Sequence, residues 1–385
     1  MDSTFLRRDK RIYSNLETLD GENVAFVHDV AISPARESIC ALPEKGVIQI
    51  RSTEKPDREA SIRELRGDVH VISSLAFSPS GRFLAAGSRS NVMCLFYLGE
   101  GDDGVIDNEK AKAGVMFLKA GTDNIHSVAF SSCGRYLASG SEDTKICIWD
   151  VHHLEAGTSS LQDFERLDPR SLSARVFRGH RKGVKSVDFS PDGMVLASGC
   201  TDSNVRLWDA RDGGHIEVMH DHRYRIHCCR FSPVSEAKRV YTLASASKDG
   251  TVRLWRIDRG AEEGCRVDCM KVLRPPSCGR GGLLSCSFSP DGCLVAAGGV
   301  DSVLTLFDVR SGACLASLDF FAEEAITSAI VACPFTPDGK NLLSVNLNSE
   351  MWKLRVFTPK EIQHVLSRDV GKLWMLHESL CSALQ

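Results

Sequence analysis

The sequence predicts an all-β fold built from seven four-stranded units, and three observations lead there. An apolar residue followed by Ser or Thr, and usually Pro, recurs seven times, anchored at Ile32, Phe77, Phe130, Phe189, Phe231, Phe288 and Phe335. Anchors lie 42 to 59 residues apart, and the shorter spacings match the period of about 40–45 residues of a four-stranded repeat, with insertions lengthening the rest. Each unit also repeats one internal order of strand, turn, strand, turn and a third strand ending in an aromatic residue.

The elements follow from local chemistry. Before the fourth anchor, Val184, Val187 and Phe189 with the small Ser186 form a strand pattern. Ser-Pro-Asp-Gly follows at 190–193 and 289–292, and Thr-Pro-Asp-Gly at 336–339. Pro presets φ for the first turn position and Gly accepts φ > 0, so the chain reverses with little strain. The second strand reads Leu-Ala-Ser-Gly or a variant, as at 137–140 and 196–199. A turn usually carrying Asp comes next (Asp143, Asp202, Asp249, Asp301), and the third strand ends at Phe96, Trp149, Trp208, Trp255 or Phe307.

Composition narrows the class. The chain has 385 residues, 43% hydrophobic and 25% charged, with net charge −3, which suits a soluble globular protein and not a dedicated polyanion binder. No apolar run is long enough for a membrane span, and the N-terminal residues lack a signal-peptide pattern. No Asn-x-Ser/Thr acceptor occurs, and the 15 cysteines are an odd number spread along the chain. These features predict reduced thiols in a cytoplasmic and/or nuclear protein.

The motifs resemble WD repeats, and the chain is similar to a seven-bladed WD40 β-propeller over roughly residues 12–357. Trp149-Asp150 and Trp208-Asp209 carry the name-giving pair, and Gly179-His180 the Gly-His. The resemblance implies two complete blade-locking tetrads: His180, Ser198, Asp202 and Trp208, then His222, Ser245, Asp249 and Trp255. The third unit keeps Ser139, Asp143 and Trp149 with Thr122 near the His position. The remaining units depart further, with Arg51 and Arg355 near the Trp position.

Residues 1–357 are assigned to the propeller, and an open ring would leave bare strand edges. The alternating segment 12–19 is therefore expected to pair with the strand near 351–357 and close the last blade. Insertions at 98–118, 151–174 (with a short helix around Leu161 to Leu167) and 258–281 all follow third strands. Residues 358–385 form a C-terminal amphipathic helical extension, begun by Thr358-Pro359-Lys360-Glu361. It packs on the propeller or on a partner.

No hydrolase elbow, zinc-protease helix or phosphate loop occurs, so no enzymatic activity and no cofactor are expected. Gly279 to Gly282 reads as a flexible connection, not a phosphate cradle. Cys265, Cys269 and Cys278 lack a convincing fourth ligand, so no metal site is expected. Charge is uneven, however: residues 171–260 hold 16 Lys and Arg against 10 Asp and Glu. Arg181, Lys182 and Lys185 enter blade four, Arg223, Tyr224 and Arg225 blade five, Lys248 lies in its turn and Arg280 enters blade six. Together they predict a basic crescent on one face, suited to acidic or phosphorylated protein segments, with RNA as another ligand.

The expected function is a non-catalytic scaffold for protein–protein interactions, monomeric itself within a multi-subunit intracellular complex, with no membrane partner. Two alternatives remain. Trp208-Asp209-Ala210-Arg211 resembles the WDxR box of cullin–RING ubiquitin-ligase substrate receptors, which would give adaptor contacts to Asp209 and Arg211, with Asp308 and Arg310 as a weaker copy. The other is an RNA-associated subunit of a processing complex.

Overall fold

The computed structural model describes residues 6–13, 29–35, 39–44, 47–52, 61–66, 71–99, 114–158, 160–172, 174–261, 264–276, 281–319, 328–347 and 351–356. The strands pair into seven four-stranded antiparallel sheets, the blades of a β-propeller. Strand β1 (Leu6–Tyr13) joins the last blade. Blade one is β2 (Ala31–Ile32), β3 (Ile39–Glu44), β4 (Val47–Ser52) and β5 (Ser61–Arg66). Blade two is β6 (Ile72–Phe77), β7 (Phe83–Ser88), β8 (Val92–Tyr97) and β9 (Gly114–Lys119). Blade three is β10 (Ile125–Phe130), β11 (Tyr136–Ser141), β12 (Ile146–Asp150) and β13 (Ala174–Phe177). Blade four is β14 (Val184–Phe189), β15 (Val195–Cys200), β16 (Val205–Asp209) and β17 (His215–Met219). Blade five is β18 (Ile226–Phe231), β19 (Val240–Ser247), β20 (Val252–Ala261) and β21 (Gly264–Leu273). Blade six is β22 (Leu283–Phe288), β23 (Leu294–Gly299), β24 (Val303–Asp308) and β25 (Cys314–Asp319). Blade seven is β26 (Ile330–Ala332), β27 (Asn341–Asn346) and β28 (Met351–Val356), with β1 outermost.

The repeated turn works as its residues require. In blade four, Ser190 is buried; its Oγ donates to Asp192 Oδ1 at 2.6 Å and accepts Val195 N–H at 2.9 Å, while Gly193 takes φ 68°. The second-strand glycine has a different purpose, which is close approach between blades. A Cβ on Gly87, Gly140, Gly199 or Gly298 would stand 2.4–2.9 Å from Ile125, Val184, Ile226 or Ile330, the β-branched residues of the next inner strand. Apolar clusters therefore sit between successive blades, and Val30 and Ile32 of blade one pack with Ala332, Leu343, Val345 and Met351 of blade seven to close the ring.

Closure by an N-terminal strand on the expected partner occurs, but the strand is Leu6–Tyr13 and shares only residues 12–13 with the expected segment 12–19. Leu6 pairs with Val356, Arg8 with Leu354 and Tyr13 with Met351. Alternating apolarity was a poor guide because an outer strand has solvent on its free edge and need not alternate apolar residues. Residues 14–19, and the helical extension expected over 358–385, lie outside the described residues.

The insertions also differ in kind. Most of 98–118 lies outside the described residues. Residues 151–174 hold α1 (His152–Gly157) and α2 (Leu161–Glu165), the latter capped by Ser160 Oγ, which accepts Asp163 N–H. Phe164 is buried and stacks on Tyr97 at 5.7 Å, so blade three's insertion folds back over blade two. Residues 258–273, expected as a loop, continue β20 and β21 as a hairpin of two ten-residue strands. Cys265, Val267 and Cys269 alternate along β21 and pack against the core between blades four and five. Two of the three cysteines weighed as ligands are thus packing residues, and Cys278 lies outside the described residues.

Candidate functional site

The two tetrads connect blade cores to the loops that enter blades four and five. In blade five, His222 Nδ1 donates to Asp249 at 2.8 Å, Ser245 Oγ donates to His222 Nε2 at 2.7 Å, and Trp255 Nε1 donates to Ser245 Oγ at 2.8 Å. Blade four adds a fifth member. Arg206 donates to His180 Nδ1 at 2.5 Å and to Asp202 at 2.8 Å, leaving His180 Nδ1 and Asp202 3.6 Å apart. The Nδ1 lone pair is then an acceptor, so the proton resides on Nε2, which donates to Ser198 Oγ at 2.6 Å. Ser198 also accepts Trp208 Nε1–H at 2.8 Å and donates to the Arg206 carbonyl at 3.3 Å. Both tetrad carboxyls lie well below the usual range: burial opposes this, while bonds from the Arg181 N–H and Arg206, or from His222 and Thr251, overcome it.

These carboxylates also fix the loops. Asp202 accepts Arg181 N–H and Asp249 accepts Arg223 N–H, each at 3.2 Å. Arg181, Lys182, Arg223, Arg225 and Lys248 are exposed, and Tyr224 is 59% exposed. Arg280 lies outside the described residues. Lys185 does not stand on the open rim. Its Nζ donates to Glu142 at 2.7 Å and to His126 Nε2 at 2.8 Å, on the wall of the central channel. Glu142 seats against Gly183, where a Cβ would meet its carboxylate at 2.3 Å. Beside Lys185, His227 is pushed down to about 4 by burial and by the charges of Arg225, Lys185 and Lys248.

Sequence reasoning missed the channel lining, although its signal is periodic. Residues four before the anchors (Ser73, His126, Lys185, His227, Leu284, Val331) all line a cavity of about 220 Å³. Residues three before them bridge to the next blade. Asp29 accepts Leu75 N–H at 3.0 Å, Ser74 accepts Val128 N–H at 3.2 Å, Ser127 accepts Val187 N–H at 3.1 Å and Ser186 accepts Cys229 N–H at 3.0 Å. Deeper in, Arg230 stays charged despite burial, through Cys228, Asp188 and Asp29, while burial pushes the Asp29 and Asp188 carboxyls up.

Ligand atoms of His180, Cys200 and Asp202 lie within 4.8 Å of one another. The Arg206 guanidinium already bonds both His180 and Asp202, and burial pushes the Cys200 thiol up to about 12, so the cluster is a cation-filled network, not a metal cage. Asp209 is buried and accepts from Arg211 at 3.0 and 2.8 Å and from Arg259 of blade five at 3.1 Å. The Arg211 side chain is 64% exposed. Asp308 accepts Ser311 N–H, and Arg310 is exposed.

Comparison with known proteins agrees with this geometry. The WD domain, G-beta repeat family matches residues 60–96, 115–150, 172–209, 213–256 and 268–308, more than half of the chain. The chain belongs to the WD40-repeat family. Each matched segment runs from the outer strand of one blade through the third strand of the next, so the WD repeat is offset from the blade by one strand and ties neighbours together. Similar proteins include the nuclear distribution protein PAC1 of Arthroderma otae, 29% identical over 50% of this chain and 37% of its own length. The Drosophila melanogaster protein groucho is 23% identical over 78% of this chain and 35% of its own length. Protein HIR1 of Mycosarcoma maydis is 26% identical over 71% and 26% respectively. The chain thus spans well under half the length of these relatives. Among the described residues, no helix is long and apolar enough to cross a membrane.

Proposed function

We propose that this chain is a non-catalytic scaffold in an intracellular multi-subunit complex, cytoplasmic and/or nuclear. In this reading it is a seven-bladed propeller that receives an acidic or phosphorylated segment of a partner protein at its basic crescent. The observation that carries this reading is the set of exposed cations Arg181, Lys182, Arg223, Arg225 and Lys248 on the loops and turn of blades four and five. The loops bearing Arg181 and Arg223 are fastened by Asp202 and Asp249. Anchored loops hold their guanidinium groups in place before a ligand arrives, which lowers the ordering cost of binding. Exposed Tyr224 offers a flat apolar face beside them.

The test is the double change Arg223→Glu and Arg225→Glu. Melting should be unchanged, because exposed charges contribute little to stability. Partner recovery from extract should fall sharply, and raised salt acting on the wild type should mimic the loss. Full recovery by the variant refutes the crescent, and loss of partners on ribonuclease treatment selects the RNA-associated reading instead.

The exposed Arg211, held in a two-pronged grip by buried Asp209, supports the ligase-receptor reading as a second possibility. There, Arg211→Ala should lose a ligase adaptor while keeping the crescent's partners.

A further inference from the structure

Around the channel, the side chain three residues before the anchor reaches the next blade in blades one to six, and in blades two to four it is a serine hydroxyl accepting an N–H. Blade five breaks the rule. There the position is Cys228, whose thiol donates to the Cys286 carbonyl at 3.5 Å, the two residues packing in one buried cluster between the blades. Between blades five and six, a hydroxyl-to-amide bridge is thus replaced by the Cys228 thiol lying against Cys286. Both cysteines line the central cavity with Arg230, so small polar molecules have a route to them.

We propose that Cys228 and Cys286 are a redox-sensitive pair that a hydroperoxide converts into an inter-blade disulfide. The environment favours Cys228 as the attacking sulfur. Cys228 lies two residues from Arg230, whose buried guanidinium lines the same cavity and favours a thiolate there. The Cys228 thiolate attacks one peroxide oxygen, an S–O bond forms, the O–O bond breaks, and the departing hydroxide takes up the thiol's proton as water. The Cys286 sulfur then attacks the sulfenic sulfur, an S–S bond forms, the S–O bond breaks, and a second water leaves with the Cys286 proton. Two thiols give up two electrons and one hydroperoxide accepts them. The product staples β18 to β22 beneath the crescent.

The purified chain is treated with hydrogen peroxide, its remaining thiols are alkylated, and non-reducing peptide maps are read by tandem fragmentation to distinguish Cys228 from Cys229 and Cys286 from Cys293. The expected product is a Cys228–Cys286 linked peptide that disappears on reduction. Cys228→Ser, which installs the serine used by the neighbouring blades, should abolish the link with little change in melting. Cys286→Ser should stop the reaction at a Cys228 sulfenic acid trapped by dimedone. The proposal is overturned if exposed Cys133, Cys293 and Cys314 are oxidised while Cys228 and Cys286 stay alkylatable after unfolding, or if the Cys286→Ser variant yields no dimedone adduct at Cys228.

Discussion

Arg206 donates to His180 Nδ1, and this one contact reverses the hydrogen-bond direction of the blade-four tetrad relative to blade five. His222 keeps its proton on Nδ1 toward Asp249, whereas His180 carries its proton on Nε2 toward Ser198. The position of Arg206 on β16, four residues beyond Asp202, brings its guanidinium between the two tetrad partners.

Nitrogen NMR of the imidazoles should therefore report opposite neutral tautomers for His180 and His222. In Arg206→Met, His180 should revert to the Nδ1–H form and turn toward Asp202. Identical tautomers in the wild type would contradict the assigned bonding.

The equivalent serines of blades three and four should respond differently to alanine. Ser198 accepts from His180 and Trp208, so Ser198→Ala strands two buried donors and should cost about 2–4 kcal/mol. Ser139 Oγ is buried without a partner, because Thr122 reaches Asp143 at 2.8 and 3.0 Å but not the serine. Ser139→Ala should be neutral or stabilising, within about 1 kcal/mol. Chemical denaturation of both variants decides this, and equal losses would refute it.

Acid should destabilise the fold through His227. Its folded pKa is about 4, against 6.5 for the ordinary group, through burial first and neighbouring cations second. The unfolded chain binds more protons between those values, so the stabilisation is intact above about pH 6.5 and falls as pH drops toward 4. The full loss is about 3 kcal/mol. In His227→Gln the pH dependence of unfolding free energy across that window should flatten correspondingly.

Deleting residues 1–13 should open blade seven. Without β1, the edge of β28 is unpaired, so the melting temperature should fall by several degrees and the chain should self-associate.

Much of the architecture was legible in the amino-acid order because it rests on short-range chemistry. Ser-Pro-Asp-Gly makes its turn with partners two to five residues away, as Ser190 does with Asp192 and Val195. The family's tetrad spacing likewise selected His180, Ser198, Asp202 and Trp208 as one group. What only the tertiary structure decided depends on register between blades and on which strand faces solvent. The closing strand is 6–13 because a solvated edge does not demand the apolar alternation seen further along. Lys185 left the crescent because Glu142 and His126, 43 and 59 residues away, lie across the blade boundary from it. The bridges around the channel form one column in the aligned repeats. That column becomes a ring only when the blades close, which brings the Cys228 thiol against Cys286, 58 residues along the chain.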